Sequence, residues 1–220
     1  MTHLTSNFTP ALGYQFLTPA YDAAVALVTR ERRWRNALIR QIAPRAKEVV
    51  ADVGCGTGTL AVMLKRHAPS ASIYGFDPDP EVLDRAERKA RAENQIVNFT
   101  HANMDDIARK LSAARPAHIV SSLVFHQVRL DDKRQLLAAM AQALSAGGQL
   151  HVADYGWQRT AAMRLGFRIV QSLDGYAGTQ PNADGCLPVL MHEAGFSRVA
   201  ETAVIPTITG SISLYRAVKQ

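Results

Sequence analysis

From about residue 48 onward, short β-rich runs alternate with helical stretches, and this alternation restricts the fold more than any other feature. The helical stretches carry boundary signals: Pro80 suits a first helical turn, and Gly147-Gly148 follows the stretch that begins at Asp131. The β-rich runs span residues 48–53, 72–76, 96–99, 118–124 and 149–154. Strands that alternate with helices predict a parallel sheet covered by helices on both faces.

The chain ends in two further β-rich runs, around residues 199–205 and 211–218, and only a short turn at Gly210 joins them. A parallel return needs a crossover of a dozen or more residues, so these two runs must pair antiparallel. The complete prediction is a doubly wound α/β fold with a mostly parallel, seven-stranded sheet and an antiparallel last strand.

The net charge of +6 would suit nucleic acid or an anionic membrane surface as a partner. Much of this charge lies in one stretch in which Trp34, Leu38 and Ile42 recur at helical spacing. This pattern favours an amphipathic helix with a solvated basic side. The basic residues of the stretch are Arg30, Arg32, Arg33, Arg35 and Arg40.

Cysteine content and hydropathy bear on the cellular setting. Cys55 and Cys186 are the two cysteines of the chain, too few for a disulfide framework. No apolar run approaches the roughly 18 residues of a transmembrane helix, and the first residues do not read as a secretory signal. We therefore expect a reduced, cytoplasmic setting and no transmembrane segment.

The most informative motif is the glycine loop Asp52-Val53-Gly54-Cys55-Gly56-Thr57-Gly58, which lies between a predicted strand and a predicted helix. Glycines permit a tight turn and a close approach of the backbone to a ligand, and the N-terminus of the following helix favours an anionic group. Asp77 ends the next strand 19 residues after Gly58, as an acid that binds ribose hydroxyls should. The alternative is that Asp77-Pro78-Asp79-Pro80 forms only a turn and a helix cap.

These motifs resemble those of the class I S-adenosylmethionine-dependent methyltransferases. The similarity extends to His101–Asp105, Val120–Ser122 and Leu144–Leu150. Within this family the chain is most similar to the ubiquinone/menaquinone biosynthesis C-methyltransferase group. Tyr21-Asp22 with Arg33-Trp34-Arg35, and the segment Thr209–Arg216, carry that closer resemblance.

The resemblance implies S-adenosyl-L-methionine as methyl donor and S-adenosyl-L-homocysteine as product. Asn103 would make a polar contact to adenine and Met104 an apolar one, although a helix cap and a core position explain the same residues. Ser122 would contact the donor or be merely buried and hydrogen-bonded. The residues expected to bind the donor are Tyr21, Asp52, Gly54, Cys55, Gly56, Thr57, Asp77, Pro78, Asn103, Met104 and Ser122.

Length and the placement of the motifs predict one methyltransferase domain over residues 1–220. It divides into an N-terminal helical cap, a donor-binding core, a substrate insertion and the final strands. The insertion contains Trp157, Met163, Phe167 and Tyr176, which favours a small, largely apolar or aromatic acceptor. The predicted boundaries of these four parts are 1–45, 46–154, 155–190 and 191–220.

Methyl transfer from a sulfonium is an in-line displacement, so the protein mainly has to align the reacting atoms. An acceptor oxygen, nitrogen or carbon acid also loses a proton, and His126, just past the fourth strand, is the candidate catalytic base. A lone histidine is more often structural; Asp154 and Tyr155 are further candidates. We expect no metal site.

Three other functions compete with this interpretation. A nicotinamide-dependent oxidoreductase shares the sheet and the acid after the second strand, but the glycine spacing and the final hairpin speak against it. An RNA methyltransferase would suit the basic charge, but Ser121–Val124 departs from the Pro-Pro-aromatic signature of base-modifying amino-methyltransferases. A non-enzymatic donor-binding protein would share every donor motif.

Overall fold

The computed structural model describes residues 29–220, so Tyr21 lies outside the described residues. Its centre is a seven-stranded sheet in the order β3-β2-β1-β4-β5-β7-β6. The strands are β1 (Val49–Val53), β2 (Ser72–Asp77), β3 (Asn98–His101), β4 (His118–Ser122), β5 (Gln149–Tyr155), β6 (Phe196–Thr207) and β7 (Gly210–Lys219). Strands β1 to β5 pair in parallel, and β7 pairs antiparallel with both β5 and β6. The predicted fold class is confirmed.

Helices cover both faces of this sheet and bury two separate hydrophobic cores. Trp34, Leu60 and Phe167 belong to the core on one face, and Leu137 and Leu190 belong to the core on the other. We call these the first face and the second face. The helices are α1 (Glu31–Ile42), α2 (Thr59–His67), α3 (Pro80–Ala92), α4 (Ile107–Ala114), α5 (Leu130–Ala143), α6 (Ala161–Asp174), α7 (Tyr176–Ala183) and α8 (Leu187–Glu193).

Among the strands whose boundaries differ from the prediction, two bear on the site. The run predicted over residues 118–124 ends as a strand at Ser122, because Leu123 adopts a left-handed φ of 57° that turns the chain out of the sheet. The run predicted over 96–99 forms β3 two residues later, and Ile96 is 79% exposed. This shift aligns His101 with Asp77, so both strands end at the same level.

Helix α1 runs opposite to the parallel strands, since it leads directly into β1. Near its end, Gln41 donates to the backbone carbonyl of Tyr215 at 3.0 Å and lies 3.1 Å from Nδ1 of His151. Earlier in the helix, Arg35 acts electrostatically on Asp52. The start of α1 is therefore at the carboxyl ends of the strands, where open α/β sheets bind ligands.

The chain between β5 and β6 is helical, which the sequence analysis did not specify. Thr160 begins α6 by accepting a hydrogen bond from the N–H of Met163 at 3.1 Å. Gly175 ends α6 and starts α7, and α8 follows. Within residues 29–220 none of the helices is long and apolar enough to cross a membrane.

Candidate functional site

The glycine loop follows β1 and has a backbone that favours glycine. Gly54 and Gly56 have φ values of 71° and 53°, in the left-handed region. A Cβ atom on Gly54 would lie 2.2 Å from Cγ2 of Val124, so no larger residue fits there. A Cβ atom on Gly56 would meet nothing within 4 Å. The loop is thus closed against the protein at Gly54 and open at Gly56, as a ligand cradle requires.

Asp77 lies at the end of β2 and holds this loop in place. One carboxylate oxygen accepts from the N–H of Gly56 at 2.8 Å, and the other accepts from the N–H of Asp79 at 3.0 Å. Burial raises the pKa of Asp77 above its usual range, and the two hydrogen bonds offset part of that effect. A carboxylate has about four acceptor sites, so this group retains capacity for the ribose hydroxyls that the sequence assigned to it.

Asp52 lies at the fourth position of β1 and is fully buried. Within residues 29–220 neither of its carboxylate oxygens has a hydrogen-bond partner. Burial raises the pKa of Asp52 to about 7, against the opposing charge of Arg35. A buried acid without a partner is costly, so the site fits a ligand that supplies a positive group, as the ammonium of S-adenosylmethionine does.

Thr57 and Cys55 complete the loop. The Thr57 hydroxyl accepts a hydrogen bond from the ammonium of Lys89 at 2.9 Å, which ties the loop to α3. Cys55 is buried, and burial raises the pKa of its thiol, so the thiol stays protonated. Contacts of these two residues with the donor remain predictions, as does that of Pro78, whose carbonyl lies 3.0 Å from Nε2 of His101.

Asn103 caps the turn that leads into α4, whose N-cap residue is Asp106. Its side-chain oxygen accepts from the N–H groups of Asp105 and Asp106, at 3.1 and 3.2 Å, and the Asp106 carboxylate accepts from the N–H of Asn103 at 2.9 Å. Both acceptor positions of the Asn103 oxygen are therefore used. Met104 is half-buried against the second-face core. The adenine contacts predicted for these two residues stay predictions. The capping role of Asn103 is supported by its hydrogen bonds to the N–H groups of Asp105 and Asp106.

Ser122 ends β4 between the carboxyl ends of β1 and β5, and it is half-buried. The N–H of Leu123 donates to the carbonyl of Ala153 at 2.9 Å, so β4 stays paired with β5 up to its last residue, Ser122. Ser122 therefore lies at the same edge of the sheet as the glycine loop, which follows the neighbouring strand β1. Donor contacts of Ser122 and Tyr21 remain predictions, the latter for a residue outside the described part.

His126 is buried between two carboxylates in the short 3₁₀ turn Phe125–Gln127. Its Nδ1 lies 2.7 Å from an oxygen of Asp154, and its Nε2 lies 3.3 Å from an oxygen of Asp174. Burial alone would lower the pKa of His126, but Asp154 and then Asp174 outweigh it and raise the pKa to about 9. The imidazole is therefore charged at neutral pH and donates from both nitrogens.

This environment does not suit the proton acceptor that the sequence predicts at His126. A general base needs a free nitrogen within reach of the acceptor proton and a pKa near the working pH. Both nitrogens of His126 face protein carboxylates instead. The catalytic role of His126 stays an untested prediction, and the geometry favours a structural imidazolium.

The contacts among the buried polar groups around this turn were not predicted from the sequence, although Asp154 was a candidate base. Asp154 accepts from the N–H of Phe125 at 2.7 Å as well as from His126. Lys133 is fully buried and donates to the carbonyls of Phe125, Val128 and Gly178. Since Gly178 belongs to α7, these bonds tie the insertion to the end of β4.

An aromatic cluster supports the insertion at the carboxyl end of β5. The ring of Tyr155 lies 5.0 Å from that of His126 and 5.0 Å from that of Phe167. Its hydroxyl lies 2.7 Å from the hydroxyl of Thr209, and burial raises its pKa to about 12. Tyr155 is thus a neutral support for the insertion at neutral pH.

Comparison with known proteins identifies the family. Residues 50–148 match a family model described as a methyltransferase domain. A demethylmenaquinone methyltransferase of Thermus thermophilus is 30% identical over 155 residues, which covers 70% of this chain and 69% of that protein. The chain belongs to the class I S-adenosylmethionine-dependent methyltransferases. A second demethylmenaquinone methyltransferase, of Deinococcus radiodurans, is 29% identical over 63% of this chain and 57% of its own length.

Structural comparison supports the same fold for this methyltransferase. The magnesium protoporphyrin IX methyltransferase of Synechocystis, solved with bound S-adenosylhomocysteine, superposes with a TM-score of 0.68 at 16% identity. The alignment covers 94% of this chain and 90% of that one. The matched methyltransferase domain and the methyltransferase relative show that the chain is an S-adenosylmethionine-dependent enzyme and favour this over the oxidoreductase alternative.

Proposed function

We propose that this methyltransferase acts on a small, largely apolar or aromatic acceptor that binds between the glycine-loop edge and the helices that follow β5. The class that we favour is a hydroxylated aromatic ring with an apolar tail. Demethylmenaquinone is the acceptor named in the two relatives, at 30% and 29% identity.

The observation that carries the proposal is how buried charge is arranged at this edge. The His126 imidazolium lies between Asp154 and Asp174, and the Lys133 ammonium is bound by backbone carbonyls. Both cations are thus paired with groups of the protein itself. The ring of Tyr155 lies beside His126, and the ring of Phe167 lies beside Tyr155. Such surroundings favour an apolar acceptor over a strongly charged one.

The roles of the residues follow from their positions. Bound S-adenosylmethionine supplies a methyl group that is already activated on sulfur. Asp77 would accept hydrogen bonds from the ribose hydroxyls, and Asp52 would pair with the ammonium group. The bonds of Lys133 and His126 fix the turn after β4 and the insertion, so that the acceptor is held in line. Alignment of this kind is worth about 7–11 kcal/mol in model reactions.

The experiment is a methylation assay with the purified full chain, S-adenosylmethionine carrying a labelled methyl group, and three acceptor types. These are reduced demethylmenaquinone with a short tail, simple hydroxylated aromatics without a tail, and unmodified RNA. Mass spectrometry of the product shows whether oxygen, nitrogen or carbon receives the methyl group.

We expect label in the tailed aromatic acceptor, at a kcat/KM at least about tenfold above that of the tail-less compounds, because the tail adds apolar contacts. Label in RNA, with none in the aromatic compounds, would contradict the proposal and would indicate an RNA methyltransferase instead. Donor binding without label in any acceptor type would also contradict it.

A further inference from the structure

Large hydrophobic side chains are exposed unevenly over the described part of the chain. Among residues 29–220, six of the eight that are strongly exposed lie from the end of β5 to the start of α7 or at the tip of the final hairpin. The two exceptions, Ile96 and Val189, lie elsewhere on the surface. The six are Trp157, Leu165, Ile169, Leu173, Tyr176 and Ile208.

Helix α6 is apolar on two sides. Its buried side places Phe167 and Val170 in the first-face core. Its outer side carries Leu165, Ile169 and Leu173, which are 65%, 51% and 51% exposed. A spacing of four residues aligns these three side chains along the helix. An ordinary surface helix has polar residues in this place.

The final hairpin extends this apolar surface. A Cβ atom on Gly166 would lie 2.4 Å from the backbone oxygen of Ile208, so the hairpin tip rests directly on the middle of α6. The side chain of Ile208 is 70% exposed. We call Leu165, Ile169, Leu173 and Ile208 together the apolar stripe.

Exposed arginines lie on the same face of the sheet as the stripe. Arg168 is exposed on α6 itself, and Arg32 and Arg33 are exposed near the start of α1. Both helices contribute to the first-face core, and α1 starts at the carboxyl edge of the sheet. Within residues 29–220 none of these three arginines takes part in an ion pair.

The nearby acids do not neutralise this charge. Glu31 is paired with Arg35 four residues on, and Asp174 is turned inward against His126. The net charge of the chain is +6. An exposed apolar row with arginines beside it is complementary to a surface that is apolar inside and negatively charged outside.

We propose that the apolar stripe docks this methyltransferase onto the surface of an anionic lipid bilayer. The stripe enters the boundary between headgroups and acyl chains, and Arg32, Arg33 and Arg168 face the lipid phosphates. A second copy of the chain would bring the same positive charge to this face, so charge complementarity favours the lipid. The proposal goes beyond the acceptor assignment and does not depend on it.

The test is flotation of the full chain with vesicles of phosphatidylcholine alone and with vesicles that also contain phosphatidylglycerol. The native chain should float with the anionic vesicles and be released progressively by salt, because the arginine contribution is screened. Replacing Leu165, Ile169 and Leu173 together by serine should lower the bound fraction at least about tenfold, because buried apolar area drives insertion. Arg168→Gln should weaken binding and reduce its salt dependence.

The matched control is the pair Ile96→Ser and Val189→Ser, which removes exposed apolar side chains away from the stripe and should leave flotation unchanged. The affinity for S-adenosylmethionine, measured for every variant, shows that the fold is intact. Equal flotation of the native chain and the triple serine variant would overturn the proposal.

Two other results would overturn it by revealing another occupant. If the native chain does not float but is a dimer by light scattering, and the triple variant is a monomer, a second copy covers the stripe. If the native chain floats only after residues 1–28 are removed, that segment covers the stripe. If the native chain floats with the anionic vesicles but does not methylate the tailed aromatic acceptor, the proposed acceptor is contradicted and the lipid proposal is not.

Discussion

Two carboxylates at the carboxyl edge of the sheet differ in what surrounds them, and the roles that we propose for them follow from that difference. Asp77 accepts hydrogen bonds from the N–H groups of Gly56 and Asp79 and holds the glycine loop in place. Asp52 has no hydrogen-bond partner within residues 29–220 and is fully buried. A residue of the first kind orders a site before the ligand binds, and one of the second kind is completed by the ligand's charge.

A prediction at this scale concerns His126, which we expect to act through stability. In His126→Gln the fully buried carboxylate of Asp154 and the partly buried carboxylate of Asp174 lose their charged partner, so the free energy of unfolding should fall by about 3–5 kcal/mol. Asp174→Asn retains an acceptor for Nε2 and should cost only about 1–2 kcal/mol. Denaturant unfolding of the three proteins measures both values.

The same pair of variants separates this structural role from the catalytic one that the sequence suggested. If His126→Gln unfolds at the native denaturant midpoint while its turnover is lost, the histidine acts in the chemistry and the structural account of it is wrong. Donor affinity serves as the control, because the polar contacts of the His126 ring within residues 29–220 are with Asp154 and Asp174 and not with the glycine loop.

At the scale of elements, the strands are joined at their amino ends by a chain of polar side chains. Nε2 of His118 lies 3.1 Å from the Glu48 carboxylate, and its Nδ1 lies 3.3 Å from Nε2 of His151. Gln41 of α1 then reaches Nδ1 of His151. This network links β1, β4, β5 and α1 at the edge opposite the ligand site, and a role in stability follows.

The network predicts a loss of stability in acid. Burial, followed by the charge of His118, lowers the pKa of His151 to about 3, from 6.5 in an unfolded chain. The unfolded state therefore binds more protons than the folded state between these two pH values. The contribution of His151 to the stability of the fold is complete above pH 6.5 and declines as the pH falls toward 3. In His151→Gln the melting temperature should be lower at pH 7 and should depend less on pH in this range.

Thermal unfolding from pH 7 to pH 4 in buffers of equal ionic strength makes this comparison. His67→Gln is the matched control, because His67 is exposed at the end of α2 and its loss should leave the native pH dependence unchanged. A His151→Gln variant with the native acid slope would show that other groups cause the loss.

For the whole molecule, the sequence predicts those parts that local patterns determine. The alternation of runs specified the sheet, and the short turn at Gly210 specified the antiparallel last pair, as found. The glycine loop and Asp77 were placed together in advance, and the structure joins them by the Gly56 hydrogen bond. These features depend on neighbouring residues or on backbone geometry that favours glycine.

The features that were missed depend on contacts between distant parts of the chain. His126 meets Asp154 from 28 residues away, and nothing in the local sequence marks that pairing. Lys133 lies on a helix among charged neighbours and reads as solvent-exposed, yet it is buried because α7 covers it. The insertion carries glycines and Pro181, which argue against helices, but packing on the core outweighs them.

The measurement that tests the central claim most directly is calorimetric titration of the full chain with S-adenosylmethionine and, separately, with NADH. Asp77→Asn retains an oxygen for the Gly56 N–H but loses the charge, and Asp77→Ala loses both. Asp79→Ala is the matched control, because it removes a side chain that caps α3 and keeps the backbone N–H that donates to Asp77; it should cost about 1 kcal/mol of stability with little change in donor affinity.

We predict that S-adenosylmethionine binds and NADH does not. Asp77→Ala should weaken donor binding at least about tenfold, because a charged hydrogen bond is worth about 1.5–3 kcal/mol, and Asp77→Asn should fall between it and the native chain. Donor binding that is equal in the native chain and Asp77→Ala would contradict the assignment of this edge as the donor site. Binding of NADH in place of S-adenosylmethionine would contradict the function itself.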